Sequence, residues 1–348
     1  MRHTPFLLVV LLATGCSKEQ PAAGKLVTAT VTAKAETTPV GTADDAADDP
    51  AIWRHPTDPA KSLIIGTDKR AGIHVYDMAG KAVGFTASPR LNNVDLRSNV
   101  TVTGKDAVLV AASDRRDEAN AAIALFTLDT VAQKLLPLAS IPVGRGEAYG
   151  MCLWQRKADG QLYAFLVLKD GRIDQVELKV SGAAATGKVV RSMKLKTQSE
   201  GCVVDDRTGL LYVTEEDVGL WRFDADPSAS MKATELGRAD GEQLVADAEG
   251  IAIMPVGADA GYLIVSSQGD NAYAVYDQKT GRYRSRFRIG DGAIDGVQET
   301  DGLELVLGDF GPSYPGGLFV TQDGDNSPET QNFKFIAWAD VMKVLKLD

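Results

Sequence analysis

The chain has 348 residues, 44% of them hydrophobic and 24% charged, with a formal net charge of −10. That composition suits a globular fold with a sizeable core, and the length suggests about two domains unless an internal repeat accounts for it. Lys and Arg number 37 against 47 Asp and Glu, so no general basic field exists to recruit nucleic acid, and an anionic ligand needs local cations or a bound metal.

The first predicted element is a leader. Arg2 starts it, an apolar run extends from Phe6 to Ala13, and small residues precede Cys16 in "LATGC". The run is too short to span a bilayer and reads as an export signal. Its ending has the form of a lipobox, so residues 1–16 are expected to be a signal peptide ending at Cys16, with lipid attached to that thiol. The protein would then be exported, facing the periplasm or the cell surface as a lipoprotein, or otherwise secreted, and would meet a membrane only through the anchor. Residues 17–40 form a linker. Its alternating stretch "KLVTATVTAKAETTPV" (25–40) is expected to supply an outer strand that closes the last repeat.

From residue 41 to 340 one pattern recurs. Six hairpin-like segments follow one another: "LIIGTDKRAGIHVYD", "VLVAASDRRDEANAAIALFTLD", "LYAFLVLKDGRIDQVEL", "LLYVTEEDVGLWRFD", "YLIVSSQGDNAYAVYD" and "LFVTQDGDNSPETQNFKFIAW". Each is an apolar strand, a polar turn and a second strand, at the spacing of roughly 50 residues found in propeller blades. Before each hairpin stands a short element: "DDPAIW", "NVDLR", "AYGMCL", "SEGCVV", "AEGIAI" or "TDGLEL". Most of these join an acidic residue and a Gly or Pro to an apolar run, as expected of a buried inner strand entered through a tight turn. The expectation is an all-β, six-bladed β-propeller with three strands evident per blade and helical periodicity only in "AWADVMKVLKL".

Antiparallel pairing places the loop entering the first strand and the turn leaving the second at the same end of a blade. Asp48, Asp49, Glu200, Asp247, Glu249, Asp295 and Asp301 therefore share one rim with Lys69, Arg70, Arg115, Lys169, Glu216, Asp217, Asp323 and Asp325. Asp44 and Asp45 fall outside the repeating element and read as solvated. Such residues populate hairpin turns for backbone reasons alone; the weight lies in six blades bringing them to one mouth. Two like charges 4 Å apart at an effective dielectric near 20 cost about 4 kcal/mol, which divalent cations relieve. With only His3, His55 and His74 present, imidazole-rich metal sites are poorly supplied, and oxygen donors favour calcium. No nucleophile elbow, Walker loop or cysteine-phosphatase spacing occurs, so metal-activated water is the surviving hydrolytic mechanism. Lys69, Arg115 and Lys169, set among acids, suit a phosphate ligand. Cys152 and Cys202 lie in apolar strand-like stretches and read as core residues, their pairing left open.

Taken in order, "DDPAIW", "TDKRAGIHVYD", "LNNVDLR", "SDRR", "AYG", "SEGCVVDDRTGLLYVTEED", "DAEGIAI", "SSQGDNAYAVYD", "ETDGLEL", "GPSYPGGLFVTQDGDN" and "QNFKF" resemble the β-propeller phytases from about Asp48 to Trp338. The resemblance implies several calcium ions and hydrolysis of phosphate monoesters of phytate, a small-molecule partner, with a cleavage site beside an affinity site; a monomer is expected. Matched motif by motif, Lys69, Arg115, Tyr149 and Lys169 would contact phosphate, with Arg70 where the family often has a second lysine. Glu200, Glu216, Asp247, Glu249 and Asp295 would hold calcium and the attacking water, and Lys69 would share in catalysis. Asp48, Asp49, Asp301, Asp323 and Asp325 would be further calcium ligands. The loop "DGAIDGVQ" is shorter than the family's usual form, which makes the alignment of Asp301 firmer than that of Asp295. Competing readings are a non-catalytic, calcium-stabilised binding propeller and a phosphatase or lactonase with another substrate.

Overall fold

The computed structural model describes residues 26–102, 104–181, 184–345 and 347. The leader and Cys16 lie outside the described residues. Six sheets of at least four strands each form a closed ring, as expected of a six-bladed propeller. Blade 1 comprises Ala47–Trp53, Leu63–Asp68, Gly72–Tyr76 and Ala82–Ala87, from the axis outward. The innermost strands of the next four blades are Leu91–Val102, Ala148–Gln155, Ser199–Asp205 and Ala248–Val256. Blade 6 starts at Leu303–Leu307 and continues through Gly317–Asp323 and Asn332–Ala337.

The ring closes through the N-terminal segment. Ala35–Glu36 is the outermost strand of blade 6, antiparallel to Asn332–Ala337, while Ala29–Val31 adds a fifth, parallel strand to blade 5. Backbone bonds from Lys34 N to Phe335 O (2.8 Å) and from Val40 N to Gln331 O (2.9 Å) extend the seam. Trp338–Leu345 is helical and buries Trp338, Val341 and Leu345 against blades 5 and 6.

The core consists of six apolar clusters among the described residues, each packed across one seam between neighbouring blades. Phe319, Phe333 and Phe335 are fully buried, and each such side chain contributes about 1.5–3 kcal/mol by leaving water. Because every blade buries both faces, the two central strands read as nearly continuous apolar runs, as in Leu162–Leu168. The sequence reading of three strands per blade falls one short. The missing outermost strands, such as Ala184–Lys194, are largely exposed and so carry little apolar signal.

Cys152 and Cys202 form a disulfide between the innermost strands of blades 3 and 4, with Cα atoms 5.7 Å apart. The reading of both as core residues holds for Cys152, at 2% exposure, while Cys202 borders a cavity of about 380 Å³ running along the axis.

Candidate active site

In five blades the innermost strand begins with the same register shift, between Ala47 and Pro50, Leu91 and Val94, Ala148 and Met151, Ser199 and Cys202, and Ala248 and Ile251. A bulge leaves two residues unpaired and re-aims their side chains. The pairs so released are Asp48 and Asp49, Asn92 and Asn93, Tyr149 and Gly150, Glu200 and Gly201, and Glu249 and Gly250. Asp301 and Gly302 hold the corresponding place in blade 6. In blades 3 and 4 the second member is glycine because the next blade is too close for a side chain: a Cβ at Gly150 would stand 1.7 Å from Glu200 O, and one at Gly201 would stand 2.2 Å from Glu249 O. The first residue of each pair therefore reaches the axial mouth.

There Glu200, Glu216 and Glu249 converge, with one carboxylate oxygen of each within 4.8 Å of the others. All three are buried. Asn92 Nδ2 donates to Glu200 Oε1 (2.7 Å) and Asp48 Oδ2 (3.0 Å). Gln198 Nε2 donates to Glu216 Oε2 (2.8 Å) and Gln268 Nε2 to Asp301 Oδ1 (2.8 Å). Glu216 Oε1 and Glu249 Oε2 are buried with no hydrogen-bond partner. Lys69 Nζ faces this group, 2.6 Å from Asp45, 3.0 Å from Asp48 and 3.2 Å from Asp301. A cavity of about 570 Å³ opens between Lys69 on one side and Glu216 and Glu249 on the other, lined also by Tyr149 and Asp247.

Burial dominates the electrostatics. It pushes the Glu200 carboxyl up to about 8, helped by Asp48 and Asp301. Glu216 rises to about 7, chiefly through burial. Glu249 is driven well above the usual carboxylate range by burial and then by Glu200, Asp301 and Glu216. Asp301 reaches about 7 because burial outweighs the attraction of Lys69. For Lys69 burial opposes the charge, but Asp48, Asp301 and Asp45 overcome it and hold the ammonium pKa above its ordinary value. Burial, followed by Glu200, Glu249 and Glu216, keeps the Tyr149 phenol protonated.

Tyr149 is also a platform for cations. Lys169 Nζ lies 5.1 Å and Arg115 Cζ 5.3 Å from its ring centre, distances at which a ring face attracts positive charge. Arg115 is further held by Asn92 Oδ1 (2.7 Å) and by an ion pair with Glu147.

The remaining sequence-predicted residues lie around this centre. Asp247 is on its rim, its pKa raised by burial and by Asp217. Asp49 accepts from Val94 N (3.0 Å) and borders the axial channel below the mouth. Asp295 and Asp323 are held instead by the buried Lys334, whose Nζ is 2.6 Å and 3.3 Å from them. Asp325 accepts from Ser327 Oγ (2.6 Å) in an exposed turn, and Arg70 pairs with Asp44 (3.2 Å) at the surface. Sequence reading missed Asp45, which reaches Lys69 rather than remaining purely solvated, and the amides of Asn92, Gln198 and Gln268. Asn92 shares the repeat position of Asp48, and Gln268 that of Lys69 and Glu216, so aligning polar as well as charged residues would have found both.

Fold and site together define a class: a six-bladed propeller whose acidic, cation-fringed axial mouth suits an anionic ligand. A family model described as Phytase matches residues 3–348. The 3-phytase of Bacillus subtilis (strain 168) is 41% identical over 326 residues, covering 90% of this chain and 85% of that protein. The chain belongs to the Phytase family. Among solved structures, the Penicillium chrysogenum α-L-arabinanase complexed with arabinobiose matches with a TM-score of 0.58 over 89% of this chain and 99% of its own, at 12% identity, a likeness of fold alone.

Proposed function

We propose that the protein is a calcium-dependent phosphomonoesterase that releases orthophosphate from phytate. The observation that carries the reading is the set of three mutually close buried carboxylates, Glu200, Glu216 and Glu249, facing Lys69 and the Tyr149 platform across one cavity. Two of these carboxylates keep an unpartnered buried oxygen, and the donor set is all oxygen, which fits calcium. Calcium bound by Glu200, Glu216 and Glu249, with Asp48, Asp247 and Asp301 at the margin, would polarise a phosphoryl oxygen and lower the pKa of water.

The rest falls to the chain. Lys69, Arg115 and Lys169 bind phosphate oxygens, each charge-assisted hydrogen bond contributing about 1.5–3 kcal/mol. Tyr149, kept protonated, offers a further donor and spaces the two cations stacked on its ring. Asn92, Gln198 and Gln268 fix the carboxylates through their amide N–H groups, so the donors are in place before charge develops on the equatorial oxygens. Asp295 and Asp323, with Lys334, serve the closure of blade 6.

Purified protein with calcium, offered phytate, a simple phosphate ester and a lactone, is expected to release phosphate fastest from phytate. Faster release from the simple ester would reassign the substrate, and lactone opening without phosphate release would sink the reading. The leader keeps its assignment as an export signal lipidated at Cys16; Cys16→Ser should abolish incorporation of labelled palmitate, and undiminished incorporation would refute it.

A further inference from the structure

The six seams are not stitched alike. In blade 4, Thr214 Oγ1 donates to Glu249 O of blade 5 (2.6 Å). In blade 5, Ser266 Oγ donates to Thr300 O of blade 6 (2.8 Å), and in blade 2, Ser113 Oγ donates to Tyr149 O of blade 3. These hydroxyls occupy one repeat position, two residues before Arg115, Glu216 and Gln268. They anchor the backbone of Tyr149 and Glu249, whose side chains reach the mouth, and of Thr300, the residue before Asp301.

In blades 1 and 6 the hydroxyl at this position turns elsewhere, Thr67 Oγ1 to Asp49 O of its own blade (3.3 Å) and Thr321 Oγ1 to the Tyr273 hydroxyl of blade 5 (2.8 Å); blade 3 has no hydroxyl there at all. The residue two before Lys169 is Val167, fully buried and without a hydroxyl. Its surroundings match those of Thr214 closely. A Cβ on Gly201 would lie 2.2 Å from Glu249 O and 2.7 Å from Thr214 Oγ1, while one on Gly150 would lie 1.7 Å from Glu200 O and 3.1 Å from Val167 Cβ. The carbonyl that a hydroxyl would hold is thus the Glu200 carbonyl. At this seam the innermost strands carry the Cys152–Cys202 disulfide, three residues along from Tyr149 and two from Glu200.

We propose that the Cys152–Cys202 disulfide is a positioning element of the active site, standing in for the missing hydroxyl bridge and fixing the strand of Glu200 against the strand of Tyr149. Resting on the phytase reading above, it assigns the two cysteines to calcium binding through Glu200 rather than to fold stability at large. Where Glu200, Glu216 and Glu249 are ionised and no cation offsets them they repel one another; the hydrogen bonds across this seam from Gln175 Nε2 to Ala225 O (2.7 Å) and from Arg191 Nη2 to Asp224 O (2.6 Å) join its outer strands, which leaves the disulfide to hold the innermost strands against that repulsion. Groups that orient metal ligands typically cost 10- to 100-fold in affinity when lost.

The test uses the full chain and isothermal titration calorimetry with calcium alone. The Cys152→Ala/Cys202→Ala double variant is expected to bind calcium about tenfold more weakly or worse, with an unchanged far-ultraviolet circular dichroism spectrum. At saturating calcium its kcat on phytate should return while the calcium concentration for half-maximal rate stays raised. Adding Val167→Thr to the double variant should restore most of the calcium affinity by remaking the bridge to Glu200 O. Unchanged affinity in the double variant, loss of its folded spectrum, or a triple variant no better than the double each overturns the proposal. Phosphate release by the wild type in the same preparations reports separately on the phytase reading.

Discussion

Replacing Glu216 with Gln should make the calcium-free protein more stable at pH 8 while weakening its response to calcium. Burial lifts the Glu216 carboxyl from an ordinary 4.5 to about 7. Well below pH 4.5 the folded and unfolded chains both hold this proton. As pH rises further the unfolded chain releases it while the folded site retains it, so stability declines until Glu216 ionises near 7 and the full penalty is in place. From 4.5 to about 7, at about 1.4 kcal/mol per pH unit, the penalty is about 3 kcal/mol. At roughly 2 °C per kcal/mol for a chain of this size, that is about 6 °C in Tm. Differential scanning calorimetry in chelator should therefore show Glu216→Gln melting about 6 °C above wild type at pH 8 and close to it at pH 4.5. With calcium restored at pH 8, wild type should gain more than the variant, because the cation takes the place of the proton. Equal Tm values for the two proteins at pH 8 in chelator would refute the argument.

Three further outcomes follow from the same geometry. Lys69→Met removes a preorganised cation from the phosphate site and should lower phosphate release about 10²- to 10³-fold, as loss of an oxyanion donor does; a decrease under threefold would contradict that role. Tyr149→Leu removes the face on which Arg115 and Lys169 rest, worth about 0.5–2 kcal/mol for each cation. It should raise KM for phytate more than Tyr149→Phe, which keeps the ring face and loses only the hydroxyl donor, and equal KM values for the wild type and Tyr149→Leu in steady-state assays would place the cations elsewhere. Lys334→Met leaves Glu36, Asp295 and Asp323 without their shared ammonium and should cost about 3–5 kcal/mol in denaturant unfolding. Phosphate release per folded molecule should persist, and its loss would move Asp295 and Asp323 into the catalytic machinery.

Much of the ring was legible because the repeat is written in chemistry that does not depend on distance. Apolar central strands and polar turns recur in all six blades, and carboxylates before the inner strands in most. The outermost strands were not legible because solvent covers them, and a strand such as Ala184–Lys194 is mostly exposed. The bulge that turns Asp48, Glu200 and Glu249 toward the axis was hidden as well, since a register shift depends on the partner strand. Loop length decided the fate of Asp295: its short loop carries it to Lys334, whereas Asp301, in frame with the "EG" of its neighbours, reaches Lys69. The disulfide needed the register of two neighbouring innermost strands, which brings the Cα atoms of Cys152 and Cys202 to 5.7 Å and which spacing does not state.

The central claim is that a cation held by Glu200, Glu216 and Glu249 is required for phosphate release. The most direct measurement is the rate of orthophosphate release from phytate by the wild-type protein before chelation, after exhaustive chelation, and after readdition of calcium. The account predicts that activity disappears on chelation and returns with calcium; release that continues undiminished in the chelated protein would contradict it.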